Sequence, residues 1–295
     1  MSNYDIKSGF VAIAGAPNAG KSTLLNRILK RKISITSRKP QTTRNRILGV
    51  LHRPGSQMVF LDTPGVHKAK KALNRKIVEE AVSAMGDADV ILLLADAAAP
   101  DPESEAILME KLAEKKKPTV LAVNKMDLLK KAEAAPLLSA WSEKYPFAAV
   151  MPLSAKHGDG VEELFETMEN ILLPGPAYFP EDALTDMPER FIAAEMIREK
   201  VFRFTGSEIP YSTAVTVEDF IKEKNLIRIY AKIHVEHDSQ KGILIGKKGE
   251  KLKEIGSEAR KEIERMTGRK VFLKLFIRVQ KNWSKDTKAM RRFGY

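Results

Sequence analysis

Residues 15–22 read GAPNAGKS, and residues 60–66 read FLDTPGV. The first stretch closes an apolar run, Phe10–Gly15, and opens a helical pattern at Lys21. A G-x-x-x-x-G-K-[ST] loop between a strand and a helix is shaped to hold phosphate. Its backbone, from Gly15 through Ala16, Pro17, Asn18 and Ala19 to Gly20, curls around one point that the positive end of the helix also faces. Lys21 is placed to bridge β- and γ-phosphates. The Ser22 hydroxyl, with Thr23 beside it, is placed for Mg²⁺. Strand, phosphate loop and helix in that order predict an α/β fold with a mainly parallel, doubly wound sheet.

The chain up to residue 173 repeats that grammar. Strands are expected at Phe10–Gly15, Ile47–His52, Met58–Leu61, Val90–Asp96, Thr119–Asn124 and Ala149–Leu153. Helices are expected at Lys21–Lys30, Leu73–Met85, Ser104–Lys116 and Val161–Leu172. Alternating strands and helices imply parallel pairing with helices on both faces, and ligands beyond the carboxyl ends of the strands.

Those ends carry the remaining motifs. Asp62 closes one strand where a carboxylate reaches Mg²⁺, with Thr63 and Pro64 leading to Gly65, whose N–H can meet the γ-phosphate. Between the two quoted stretches lies RKPQTTRNR, residues 38–46, a polar loop without apolar period. A threonine here can close over Mg²⁺ when a γ-phosphate is present; Thr43 is the candidate and Thr42 the alternative. Catalytic expectations therefore rest on Lys21, Thr43 and Gly65, and metal ligation on Ser22, Thr43 and Asp62. After the strand ending at Asn124 comes VNKMD. Asp127 can accept from the N1–H and amino group of guanine, a donor pair adenine lacks. Asn124 can brace the loop and reach the base edge, and the Lys125 stem can cover the ring. Ser154, Ala155 and Lys156 follow the next strand, where the Ala155 N–H can meet guanine O6.

In this order the five motifs resemble the translation-factor-like GTPases over residues 6–173. The likeness implies GTP as substrate rather than ATP. Where such enzymes usually carry a glutamine after D-x-x-G, this chain has Val66, which cannot orient water, and His67 is not at that position. Slow intrinsic hydrolysis, accelerated by a partner or a closure, is the expectation. Related GTPases with asparagine at the position of Asn18 bind K⁺ beside the phosphates, so K⁺ joins Mg²⁺ as an implied cofactor.

Prolines 174, 176, 180 and 188 interrupt the pattern, so residues 174–188 read as an extended linker. Residues 189–295 follow as a smaller α+β domain: a helix over Arg190–Phe204, strands near Ser212–Phe220 and Leu226–His237, a turn, a helix around Glu250–Met266 and a strand over Val271–Val279. The net charge of the chain is +12; from Ser239 onward 17 Lys/Arg against 6 Asp/Glu give +11. Gly246–Gly249, GKKG, lets backbone approach a phosphodiester strand while Lys247 and Lys248 supply charge, and Lys241, Lys251 and Lys253 extend the basic rim. The element order with that loop resembles the type II KH domain, whose G-x-x-G clamps single-stranded nucleotides. A P-loop GTPase joined to a type II KH domain, with PERFIAAEMIREKVFRFTGSEIPYS after the linker, is similar above all to the Era GTPases. That resemblance implies small-subunit ribosomal RNA near its 3′ end as ligand, and a role in subunit assembly and RNA maturation.

The chain has no cysteine, which excludes disulfides and thiolate metal sites. Neither a leader nor an apolar run long enough to span a bilayer is evident, so a cytoplasmic monomer is expected. The basic tail leaves a weak peripheral association with the inner membrane face as an alternative, and a constitutive RNA binder with a merely structural nucleotide site as another. His234 and His237 read as surface residues. Phe272 and Phe276 share one side of the last strand, where packing on a helix is favoured over base stacking. Trp283 and the tail after it serve either RNA contact or capping.

Overall fold

The computed structural model describes residues 6–37, 39, 42–69, 72–206 and 209–294; Arg38, Pro40, Gln41, Ser207, Glu208 and Tyr295 of the stretches discussed above lie outside them. Two compact units result. The first comprises Met1–Ser34 and Thr43–Asp186, the second Ile35–Thr42 and Met187–Tyr295.

In the first unit the strands are β1 (Ile6–Gly15), β2 (Ile47–Arg53), β3 (Ser56–Asp62), β4 (Val90–Asp96), β5 (Thr119–Asn124), β6 (Ala149–Pro152) and the short β7 (Pro174–Gly175). The sheet runs β2-β3-β1-β4-β5-β6, with β7 on β1. Pairing is parallel except for β2 on β3 and β7 on β1. The helices are α1 (Lys21–Ile28), α2 (Ala72–Asp87), α3 (Pro102–Lys115), α4 (Lys131–Ser142) and α5 (Val161–Ile171). Strand β4, VILLLAD, is buried up to its final aspartate, as a central strand covered on both faces must be. Helix α5 buries Val161, Leu164, Phe165 and Met168, one stripe at helical spacing. Asp101 caps α3 by accepting from the Ser104 N–H at 3.0 Å, with Pro102 at the first helical position. Helix α4 is absent from the sequence reading for a physical reason. It contains Pro136 and buries only Trp141, so it shows little apolar period.

The proline-rich stretch after β7 is anchored. The Val50 N–H donates to Leu184 O (2.9 Å), Thr185 Oγ1 to Leu48 O (2.6 Å), and Gln57 Oε1 accepts from the N–H groups of Tyr178 (2.7 Å) and Phe179 (3.0 Å). The bonds to Val50 and Leu48 cover the edge strand β2, which would otherwise offer itself to another chain, and those to Gln57 hold the stretch to β3 through a side chain.

In the second unit, α6 (Glu189–Phe204), β8 (Ala214–Lys222), β9 (Leu226–Val235), α7 (Asp238–Ile245), α8 (Glu250–Thr267), β10 (Lys270–Val279) and α9 (Thr287–Arg292) build a sheet in the order β10-β9-β8. Strands β9 and β10 are parallel and β8 is antiparallel to β9. Helix α6 is buried along most of its length and carries charge inward. Arg198, fully buried, donates through Nε to Glu195 Oε1 (2.7 Å) and also bonds the Thr42 carbonyl; Lys200 pairs with Glu262 of α8 at 2.6 Å. Lys39 donates to Phe202 O (2.6 Å) and to Thr205 O, so Lys39 and Thr42 are both tied to α6 or the residue after it.

Two side-chain expectations in this unit change, and one left open is resolved. His234 is 3% exposed, because the tail folds Phe293 over it at 4.4 Å between ring centroids. Phe272 and Phe276 are 42% and 43% exposed; α8 packs on the other face of β10, where its Gly256 lies against Leu275. Trp283 is fully buried and donates to Ser212 O (2.9 Å), so it caps the unit.

Candidate phosphate site and basic clamp

The loop between β1 and α1 is drawn tight by its own lysine. Lys21, 6% exposed, donates Nζ to Gly15 O (3.0 Å) and Ala16 O (2.7 Å). Burial lowers its pKa to about 8, an effect the Asp62 charge opposes in part. Asp62 at the end of β3 is fully buried, and burial raises its carboxyl above the ordinary range. One of its oxygens accepts from Ser34 Oγ at 2.7 Å; the other, Oδ1, is buried with no hydrogen-bond partner among the described residues. Ser22 Oγ lies 2.8 Å from Thr43 Oγ1. Thr42 turns its hydroxyl to Lys39 O (2.7 Å), so Thr43, not Thr42, meets Ser22. Two hydroxyls and a carboxylate with a bare buried oxygen form a hard oxygen set, the donor chemistry Mg²⁺ takes.

The D-x-x-G loop is fixed against the phosphate loop. Thr63 Oγ1 donates to Ile13 O (2.8 Å). A Cβ on Gly65 would lie 2.8 Å from the Pro17 backbone, so only glycine permits this approach, which Pro64 precedes. The next residue shows why its side chain does no chemistry. Val66 is fully buried in the apolar cluster of Ala14, Ala81, Met85 and Ile91, and its N–H donates to Gly15 O at 3.2 Å. Asn18 adopts φ 64, left-handed for a non-glycine residue, at the exposed tip of the loop above Ala19 and Gly20. Thr23 is half-buried in the first turn of α1.

The base-side loops converge on Asn124. Its Nδ2 donates to Ala19 O (2.7 Å) and its Oδ1 accepts from the Ala155 N–H (2.9 Å), tying three loops through one 2% exposed side chain. This revises two expectations. Asn124 braces rather than reaching outward, and the Ala155 N–H assigned to guanine O6 is engaged with Asn124. Asp127 accepts from Ser154 Oγ (2.7 Å), and that bond holds its carboxyl below the usual range. Lys125, at φ 66, pairs with Asp96 at the end of β4. Arg27 of α1 donates to Ala155 O (3.3 Å) and to Lys156 O.

Several supports escape the motifs. Asn26 holds residues 33–34, accepting from the N–H groups of Ile33 (2.9 Å) and Ser34 (3.0 Å) and donating to Ser34 O (2.7 Å); Ser34 in turn holds Asp62. The available signal is a polar Ser34 between two buried isoleucines, Ile33 and Ile35.

In the second unit the GKKG turn joins α7 to α8. Gly246 has φ 69, and a Cβ there would meet Lys251 Cβ at 2.8 Å. Gly249 and Lys248 also sit at positive φ, 81 and 49. Lys247, Lys248 and Lys253 are exposed, Lys241 and Lys251 half-buried, and Ile243 beside them is 48% exposed. The turn thus presents cations and backbone next to an apolar step.

Known proteins resemble this chain along its length. A family described as 50S ribosome-binding GTPase matches residues 10–125, and one described as KH domain matches residues 208–284. The chain is 54% identical to GTPase Era of Geotalea uraniireducens over the full length of both, and 46% identical to GTPase Era of Lacticaseibacillus paracasei, covering 98% of this chain and 96% of that one. A crystal structure of a point variant of Aquifex aeolicus Era bound to GDP·AlF4⁻ superposes with a TM-score of 0.94 at 40% identity, over 98% of this chain and 99% of that one. A crystal structure of Era in complex with MgGDPNP and nucleotides 1506–1542 of 16S ribosomal RNA matches with the same TM-score, identity and coverage.

Proposed function

The chain belongs to the Era family of GTPases, and on that premise we propose that it is a GTP-hydrolysing switch that holds small-subunit ribosomal RNA near its 3′ end during subunit assembly and RNA maturation. The observation that carries the nucleotide half is the convergence of Lys21 and Ser22 at the start of α1 with Thr43 of the loop before β2 and Asp62 at the end of β3.

The residues divide the work as follows. Gly15 through Thr23 enclose the phosphates. Lys21, still mostly protonated at neutral pH, sets its charge where charge develops on the transferring phosphoryl group. Ser22, Thr43 and Asp62 would hold Mg²⁺, which when bound neutralises β- and γ-phosphate oxygens. The Gly65 N–H serves the γ-phosphate, and Thr63 and Pro64 keep it there. Asp127, kept ionised by Ser154, selects guanine; Lys125 covers the ring, and Asn124, Ala155 and Lys156 shape its pocket. No side chain at residue 66 aims the attacking water, so intrinsic hydrolysis is slow. K⁺ held near Asn18 is the finer proposal: equal hydrolysis rates in K⁺ and Na⁺ would remove it.

Residues 189–295 hold the RNA, with Gly246 and Gly249 admitting its backbone and Lys241, Lys247, Lys248, Lys251 and Lys253 neutralising phosphates. The protein acts as a cytoplasmic monomer, and the basic unit gives it a weak affinity for the inner membrane surface. Salt-sensitive cosedimentation with anionic vesicles tests the latter. Among the described residues no helix is long and apolar enough to cross a membrane.

The deciding experiment is RNA crosslinking in cells with the protein held in a GTP-analogue state, followed by sequencing. A sharp peak near the 3′ end of small-subunit ribosomal RNA is expected. A diffuse or absent profile would reduce the KH likeness to fold alone, and RNA affinity equal with GDP and analogue would reduce the protein to an RNA binder without a switch.

A further inference from the structure

The second unit has two layers, and the clamp occupies only one. The inner face of β9 and β10 carries the buried residues Ile227, Ile229, Ala231, Ile233 and Val271, together with Leu275, against the helices. The outer face is built differently. Along β10, Phe272, Lys274, Phe276 and Arg278 all point away from the helix layer and all are exposed. On β9, Tyr230 lies opposite Lys274 and Lys232 opposite Phe276. Aromatic and basic side chains therefore alternate both along the strand and across it.

The contacts within this face are loose and electrostatically one-sided. Tyr230 and Phe272 meet at 6.0 Å between centroids, tilted by 58°, and Lys274 Nζ sits 5.3 Å from the Phe276 centroid. The acid on the neighbouring strand, Glu218, is engaged with Lys232 at 2.8 Å. Burying a phenylalanine ring is strongly favourable, and the fold leaves two of them over 40% exposed. Four residues along a strand separate them by about 13 Å, far enough for each ring to serve a different base. At the Arg278 end the face opens into a cavity of about 600 Å³ walled by Arg190, Arg278, Arg292, Phe191 and Phe293. There the Arg190 guanidinium is already committed to the carbonyls of Val217 and Glu218, while Arg278 and Arg292 border the open space.

We propose that this outer face of β9 and β10, ending in the Arg278–Arg292 cavity, is a second surface for single-stranded RNA, separate from the GKKG clamp. The chemistry selects that class. An anionic chain meets the cations, and only a single-stranded nucleic acid offers unpaired π-faces to the rings at the same time. A lipid surface would use aliphatic bulk, whereas these outward residues of β9 and β10 are aromatic or basic, with the exposed Ile221 of β8 beside them. The proposal rests on the reading of residues 189–295 as an RNA-binding unit, and adds that one RNA engages both layers, the clamp by its backbone and the sheet by its bases.

The test uses the full chain and an RNA spanning nucleotides 1506–1542 of 16S ribosomal RNA, the segment in the Era complex. Three variants are compared with wild type: Phe272→Ala with Phe276→Ala, the same pair to Leu, and Lys247→Asp with Lys248→Asp in the clamp. Thermal melts establish folding, and the leucine pair keeps apolar bulk while removing the π-face. Stacking lost from two bases at about 1–3 kcal/mol each predicts at least a tenfold weaker Kd for the alanine pair, a clear loss for the leucine pair, and 4-thiouridine crosslinks within residues 270–279. Clamp loss with both face variants within twofold of wild type and no crosslink in that strand overturns the proposal and leaves the RNA-binding reading standing. The proposal is overturned in that case even if the face variants shed binding to anionic vesicles or to a second copy. No loss in any variant overturns both.

Discussion

Asn124→Ala should be the most damaging small change to the nucleotide site that touches no phosphate. The side chain is 2% exposed and makes two bonds, Nδ2 to Ala19 O at 2.7 Å and the Ala155 N–H to Oδ1 at 2.9 Å. Each neutral hydrogen bond contributes about 1 kcal/mol net, and a buried donor left unsatisfied adds roughly 1–3 kcal/mol. Ala155 is itself 2% exposed, so solvent reaches its N–H poorly. The sum is about 3–5 kcal/mol, divided between folding of the first unit and nucleotide affinity, because both loops that Asn124 joins line the site. Urea unfolding without nucleotide gives the first share; titration with a fluorescent GDP analogue gives the second. Since about 1.4 kcal/mol is tenfold, an unfolding free energy lower by about 1–2 kcal/mol should accompany GDP binding weakened by roughly tenfold or more. Asn124→Asp keeps the acceptor for Ala155 but sets a carboxylate against the Ala19 carbonyl, so it should fare no better. If the two shares for the alanine variant sum to less than about 1 kcal/mol, Asn124 does not brace these loops and the reasoning fails.

Other outcomes follow from single contacts. Val66→Gln places an amide in the apolar cluster under α2 and should destabilise by on the order of 2–4 kcal/mol in urea melts, with no gain in single-turnover hydrolysis; a marked gain would mean the side chain turns outward. Lys21 has a folded pKa of about 8, below its unfolded value of 10.5, so the unfolded chain binds more protons between those values. Its contribution to stability should therefore rise with pH from about 8 to 10.5, and the gap between Lys21→Met and wild type in unfolding free energy should shift in favour of wild type over that range. Ser34→Ala removes the bond holding Asp62 and should move the Mg²⁺ dependence of hydrolysis to higher concentration, more so at lower pH, where protons compete for the carboxylate. Trp283→Phe loses the donation to Ser212 O and should cost about 1–2 kcal/mol in a melt of the second unit, leaving GDP affinity unchanged.

What the sequence disclosed depended on how far apart the interacting residues lie. The phosphate loop is legible because contiguous backbone does its work, from Gly15 to Ser22. The strands β4 and β5 are legible because both faces are covered and the run is apolar throughout. The supports are not, since Ser34 and Arg27 act on segments distant in sequence, Asn26 acts on the next loop through its side chain, and none wears a pattern of its own. Asn124 is visible, yet its direction is not: whether an amide faces a base or two loops is decided by tertiary geometry. His234 alternates correctly on β9 for an outward residue and is buried only because Phe293, nearly sixty residues later, returns to cover it. Exposed aromatic pairs are costly, so the sequence favours a helix over Phe272 and Phe276, and their exposure is the departure that points to a second surface.

The placement of Val66 reaches beyond the rate of hydrolysis. A residue that contributes a catalytic group can be altered without touching the scaffold, so selection can tune such an enzyme one substitution at a time. Here the equivalent position is a wall of the interior, bonded through its N–H to the phosphate loop. Chemistry and folding share that position, and a change in one is felt in the other. The clock can then be reset only by parts that are not built into the interior, such as the loop around Thr43 or a group supplied by whatever binds, which makes its speed a property of the assembly rather than of the chain.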